Sequence, residues 1–272
     1  MIRRMTAVAG ASLVAFAALT PTLAVAQPSD QWQFGAQLYG YFPTIDGKTN
    51  FPPSGNSPSV EVDVDKILDN LKFVFMGSFE AKKGRWGGFT DVMYLNIGSN
   101  RSGTRDFTIG GIQIPATAEA SINYDLKGWV WTLAGEYALV AQPSATMDAF
   151  LGARMVDLEQ TIDWGLTGDI GGIPAAGRTG GSSVSRTNWD AIVGAKGRWY
   201  FTGDRRWFVP WYVDVGTGDS DLTWQAMGGI GYSWGSIDAV LAYRYLDYDF
   251  GSGKPFQELN LSGPSIAVVF RW

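Results

Sequence analysis

Along most of the chain, apolar and polar positions alternate with a period of two, and the 3.6-residue period of helices is nearly missing. The clearest run is 222–234. Leu222, Trp224, Ala226, Gly228, Ile230, Tyr232 and Trp234 share one face, and Thr223, Gln225, Met227, Gly229, Gly231 and Ser233 share the other. From 189 to 199, Trp189, Ala191, Val193, Ala195, Gly197 and Trp199 face one way, with Asp190, Lys196 and Arg198 on the opposite side. Each apolar face carries two Trp near its ends, ten residues apart. A tilted strand crosses a bilayer in about 9–11 residues, with aromatic girdles at both interfaces. A soluble barrel or sandwich shares the alternation but has no reason to place Trp at both rims. The pattern therefore predicts an all-β fold, a single antiparallel transmembrane β-barrel of about 10 strands (8–12).

The strands read as 32–42, 71–82, 86–98, 118–140, 146–164, 189–202, 207–216, 222–234, 237–249 and 257–272. Short connections (82–85, 141–144, 203–206 and 235–236) alternate with long Gly-, Pro-, Ser- and Asn-rich ones (43–70, 99–117 and 165–188), as short periplasmic turns alternate with long external loops. In that frame Trp32, Trp86, Trp199, Trp207, Trp234 and Trp272 gather at the turn end, and Trp164, Trp189 and Trp224 at the outer end. The Gly-rich stretch 165–181 reads as a flexible external loop. Around Lys127-Gly128 and Met155-Val156 the apolar face switches parity, which predicts β-bulges or bends. Beyond them Ser121, Asn123 and Asp125, then Asp157, Glu159, Thr161 and Asp163, face lumen or solvent on a hairpin projecting above the membrane.

The first residues add an export reading. Arg3 and Arg4 precede an Ala-rich apolar run to Leu23, and Ala24-Val25-Ala26 forms a small-x-small cleavage site. Residues 1–26 are thus expected to be a cleaved signal peptide and 27–272 the barrel domain. No later apolar stretch reaches the roughly 18 residues of a membrane helix. With Cys absent, neither disulfides nor thiolate metal sites contribute. The net charge of −5 becomes −7 once Arg3 and Arg4 are removed, which argues against nucleic acid as a partner.

The C-terminal run Ala267-Val268-Val269-Phe270-Arg271-Trp272 resembles the assembly signal read by the barrel-insertion machinery of bacterial outer membranes, with Phe270 and Trp272 as its aromatic positions. Gly228-Gly229-Ile230-Gly231-Tyr232 and Leu241-Ala242-Tyr243-Arg244-Tyr245-Leu246-Asp247-Tyr248 resemble the closing hairpins of the opacity-protein and OmpA-like barrels. The resemblance is sharpest over 207–272. It implies an outer-membrane location, with lipid, lipopolysaccharide and the assembly machinery as partners. That group includes channels, adhesins and structural barrels, so no activity transfers.

Candidate chemistry is sparse. The chain holds no His, which removes Ser–His and Asp–His catalysis and the commonest nitrogen ligand of transition metals. No catalytic residue, cofactor or metal site is assigned, and the chain reads as a non-enzyme. A His-free hydrolase using Asp219 is the third and remotest reading. The pairs Asp63/Asp65, Asp219/Asp221 and Asp247/Asp249 would suit a hard cation such as Ca²⁺, but a solvated acidic rim explains them more simply. Gly47-Lys48-Thr49 lacks the first Gly of a phosphate loop, Phe42 standing there instead. Asp65 to Leu71 reads as a short amphipathic helical cap before the second strand.

Turning the polar face inward places Lys72, Glu80, Lys82, Glu136, Asp148, Arg154, Asp190, Lys196, Arg198, Asp214, Asp238, Arg244 and Arg271 in the lumen. Mixed charges away from water must pair, so an interlocked ion-pair network is expected. Eight strands leave an interior that side chains fill, and ten lie near that limit. The leading functional reading is a structural or surface-interaction barrel with a plugged or narrow lumen. The alternative is a small-solute pore with charged walls.

Overall fold

The computed structural model describes residues 30–49, 59–62, 71–103, 107–109, 112–114, 118–170, 173–252, 254 and 256–272. The expected signal peptide, Asp63 and Asp65, and residues 65–70 of the cap expected from Asp65 to Leu71 lie outside the described residues, and Leu71 is a strand residue. The strands are β1 (Trp32–Tyr41), β2 (Thr44–Thr49), β3 (Ser59–Val62), β4 (Leu71–Lys83), β5 (Trp86–Gly103), β6 (Phe107–Ile109), β7 (Ile112–Ile114), β8 (Ala118–Ala141), β9 (Ala145–Ile170), β10 (Ile173–Tyr200), β11 (Trp207–Gly218), β12 (Leu222–Ser233), β13 (Ile237–Asp249) and β14 (Phe256–Arg271).

Ten of them close a barrel in the order β1-β4-β5-β8-β9-β10-β11-β12-β13-β14, with β14 returning to β1. β14 pairs with β1 from Gly35↔Arg271 to Tyr41↔Ser265, then with β2 from Thr44↔Ser262 outward. Phe42 and Pro43 interrupt the ladder, because proline has no N–H to give. β2 therefore continues β1 past a break, and β3 pairs alongside it. β6 and β7 form a separate two-stranded hairpin. At the turn end, Gly84 (φ 62°) and Gly235 (φ 94°) take the left-handed backbone that two of the tight reversals require.

The outward face carries a continuous apolar band. Leu38, Phe75, Leu133, Leu151, Val193, Leu241 and Ile266 are exposed, Leu151 by 69%. A water-soluble surface does not carry a belt of this kind, whereas hydrocarbon favours it. Exposed Trp32, Trp86, Trp199, Trp207, Trp234 and Trp272 rim it at the turn end, and Phe270 faces out beside them. At the outer end stand Trp129, Trp189 and Trp224, joined by Tyr94 against Trp129 at 4.4 Å and Tyr245 on Trp224 at 4.6 Å.

Three expectations change at the outer end. Trp164 does not belong to the outer belt. It lies nine residues beyond Met155, the partner of Trp189, which is roughly 30 Å along the strand at about 3.3 Å per residue. Nor is 165–181 a flexible loop, since β9 runs to Ile170 and β10 starts at Ile173. Gly165, Thr179, Gly180 and Gly181 are held in an antiparallel ladder that their neighbours continue on both sides. Finally, the ladders pass Lys127-Gly128 and Met155-Val156 without a bulge, as Lys127↔Glu159, Trp131↔Met155 and Asn188↔Val156 show. The apolar face changes sides there because the surroundings do. Inside the band the outer face meets hydrocarbon, and above it the outer face meets water, so Lys127, Asp157 and Glu159 turn outward and Val156 and Leu158 turn in. Asn123 is exposed on the same outward parity as Lys127.

Candidate functional site in the barrel lumen

The lumen-facing positions of β9, read outward from the turn end, are Asp148, Phe150, Gly152, Arg154, Val156 and Leu158. They sample four successive layers of side chains across the interior.

The first layer is an ion cage. Lys82 lies 2.6 Å from Asp148, 3.1 Å from Glu80 and 3.3 Å from Glu136. Lys196 pairs with Glu136 at 2.9 Å and with Glu80. Asp238, fully buried, meets Arg198 at 2.7 Å and Arg271 at its other oxygen. Four cations face four carboxylates, so the layer is formally neutral. Pairing of this kind offsets the cost of removing each ion from water.

The second layer is aromatic. Phe89 meets Phe150 edge-on at 5.2 Å, and Phe150 stacks on Tyr212 at 5.1 Å. Lys196 Nζ sits 4.0 Å above the Phe89 ring, tying this layer to the cage. Gly194 makes room for it, since a Cβ there would stand 2.5 Å from Phe150 Cζ.

The third layer holds two arginines. Arg154, fully buried, pairs with Asp214 and donates to Thr132 Oγ1 at 3.3 Å. Arg244 donates to Gln225 Oε1 at 2.8 Å, Tyr39 Oη at 3.1 Å and Asp91 Oδ2 at 3.2 Å. The Tyr39 hydroxyl in turn donates to Asp91 at 2.9 Å. Asp190 accepts the Ser220 N–H at 2.8 Å.

The fourth layer is apolar: Tyr41, Met76, Met93, Val130, Val156, Leu158, Leu246, Tyr248 and Phe250 pack at the outer mouth.

The structure thus brings Glu80, Glu136 and Lys196 together with Lys82 and Asp148. It places Arg198 with Asp238 and Arg271, and sets Arg154 against Asp214. Arg244 pairs instead with a partner that alternation did not assign, Asp91. The side chain of Lys72 lies outside the described residues. Sequence reasoning missed Asp91, Tyr39, Gln225 and Tyr212. The available signal was Asp91 sharing a face with Phe89 and Met93, both of which turn inward. The acidic pairs are occupied locally: Asp219 accepts the Trp189 N–H at 2.9 Å, Asp247 accepts from Asn260 at 3.0 Å, and Asp249 accepts the Gly251 N–H at 2.9 Å. Among the described residues no three acidic side chains converge to hold a metal.

No protein-family model and no curated protein matches the chain. Solved structures do. The outer membrane protease OmpT from Escherichia coli aligns over 92% of this chain and 99% of its own, at 7% identity and a TM-score of 0.50. Ail, the attachment invasion locus protein of Yersinia pestis, aligns over 89% and 98%, at 11% identity and a TM-score of 0.33. The toluene transporter TodX of P. putida aligns over 91% and 92%, at 11% identity and a TM-score of 0.32. Identity this low carries no activity across. The alignment with OmpT and the closed antiparallel barrel give one conclusion about architecture: the chain has the outer-membrane β-barrel fold.

Proposed function

We propose that this chain is a closed, non-conducting barrel of the bacterial outer membrane whose interactions take place at the cell surface. One observation carries the reading: four layers of side chains cross the lumen, with the cage around Lys82 and Lys196 and the Phe89–Phe150–Tyr212 layer lying across the route a solute would take. Opening that route means separating buried ion pairs, which costs about 3–5 kcal/mol when one partner is lost. What remains for contact with the outside is the extension of β5, β8, β9 and β10 above the apolar band. On this reading its partners are lipid and lipopolysaccharide around the band, and the assembly machinery at the Phe270/Trp272 end. The protease likeness supports no hydrolytic role, because a chain without His has no base of the usual kind.

Liposome swelling tests the proposal. Vesicles carrying the barrel should swell in arabinose no faster than vesicles without protein. Swelling that scales with the amount of folded barrel would replace this reading with a small-solute pore.

A further inference from the structure

The apolar fourth layer is incompletely filled. A cavity of about 540 Å³, counting the part open to solvent, lies inside the outer mouth. Its wall includes Met76, Met93, Leu126, Val130, Leu158 and Leu261, with Pro43 at the break between β1 and β2. Gly128 adds an open stretch of backbone to the same wall.

We propose that this cavity is a binding site for a small, uncharged apolar molecule, taken from the outer side. Its chemistry selects the ligand. None of the lining side chains carries a charge, and the single hydroxyl among them, that of Tyr41, already donates to Leu261 O at 2.7 Å and approaches Arg244 O at 3.1 Å. A polar or anionic ligand would leave its own groups unpaired there. The two methionines give a wall that adapts to the guest's shape. Tyr41 also forms the floor, its ring 5.6 Å from the Arg244 guanidinium, so the cavity ends where the paired arginine layer begins. A guest is therefore held at the mouth and goes no further. The site lies level with Trp129, at the outer rim of the apolar band. This inference rests on the closed-lumen reading only for the dead end. Binding itself is independent of conductance.

The test is a toluene titration of the membrane-extracted protein in lipid nanodiscs, with ¹³C-labelled methionine methyl groups followed by NMR. Met155, which alternates with buried Arg154 and Val156, faces lipid and reports toluene dissolved in the bilayer. Met76 and Met93 should shift and saturate, while Met155 drifts without saturating. Gly128→Leu projects into the cavity from its wall, where a Cβ meets Leu158 Cδ2 at 3.2 Å and the Asp157 carbonyl oxygen at 3.8 Å. It should abolish the saturable part, and Leu261→Phe should do the same from the opposite wall. Benzoate should leave Met76 and Met93 unmoved. Three outcomes would overturn the proposal: Met76 and Met93 drifting only in step with Met155, signals that ignore toluene because the chain itself fills the space, or benzoate saturating the same signals. Saturable toluene binding to a barrel that also conducts would keep the site and remove the closed-lumen reading.

Discussion

Arg154 sits where an ionised side chain is least at home, fully buried in the middle of the barrel. It remains charged because Asp214 lies against it and Thr132 and Tyr212 take further N–H groups. Removing either partner alone leaves an uncompensated buried charge, which costs about 3–5 kcal/mol. Arg154→Met and Asp214→Leu should each destabilise by about that much. The double variant should recover most of the loss, since a well-packed apolar pair replaces the ions at little net cost. Urea unfolding in lipid vesicles, followed by Trp fluorescence, measures this. Single variants within about 1 kcal/mol of the parent would mean that the pair is hydrated rather than buried. A second residue-scale expectation concerns Gly194, whose missing Cβ leaves space for Phe150. Gly194→Val should displace the aromatic layer and slow or prevent folding, seen as loss of the heat-dependent gel shift, whereas Gly135→Val faces open space and should leave that shift intact.

At the scale of the element, β8 and β9 pass from one environment to the other without a change of register, the shift in their ladder at Ala138/Val140 lying beside the turn. Through the apolar band they carry apolar side chains outward, Leu133 and Leu151 among them, and polar ones inward. Above it the assignment reverses, with Val156 and Leu158 inside and the half-exposed pair Lys127–Glu159 outside at 3.7 Å. Arginine scanning should trace this boundary. Leu133→Arg and Leu151→Arg should each cost about 2–4 kcal/mol, as cations do at the bilayer midplane, and Glu159→Arg less than about 1 kcal/mol. Equal costs at Leu151 and Glu159 would place the bilayer elsewhere. The turns behave as ordinary surface structure. Between β10 and β11, the Thr202 hydroxyl and the Arg206 backbone N–H hold the Asp204 carboxyl below its usual range. Its contribution to folding is therefore present above the unfolded pKa and fades as pH falls through the folded one. Thr202→Val should raise the Asp204 titration midpoint followed by NMR.

These elements also mark how far alternation alone reaches. It locates β1, β4 and β11 to β14 to within a few residues, because each of them carries an apolar outward face across the band. It misreads the outer half of the β8–β9–β10 sheet, where that facing is inverted by water outside and a packed core within. There an uninterrupted strand looks like a bulge, and a Ser- and Gly-rich strand looks like a loop. The ion cage was legible as a set of inward charges, but its pairing was not. Tyr39 and Asp91 are 52 residues apart, and only barrel closure brings them together with Arg244.

On the proposed reading, the whole molecule is a barrel closed at its waist and receptive at its mouth. The first of these properties rests on the cage and the aromatic layer, which lie across the lumen. Single-channel recording in a planar bilayer addresses it most directly, with folding and insertion established beforehand by the heat-dependent gel shift. The expected result is a folded, inserted barrel that gives no discrete current steps at moderate voltage. Reproducible steps of uniform size, altered in ion preference by Lys196→Ala or Arg244→Ala, would contradict the account and make the charged lumen a conducting path.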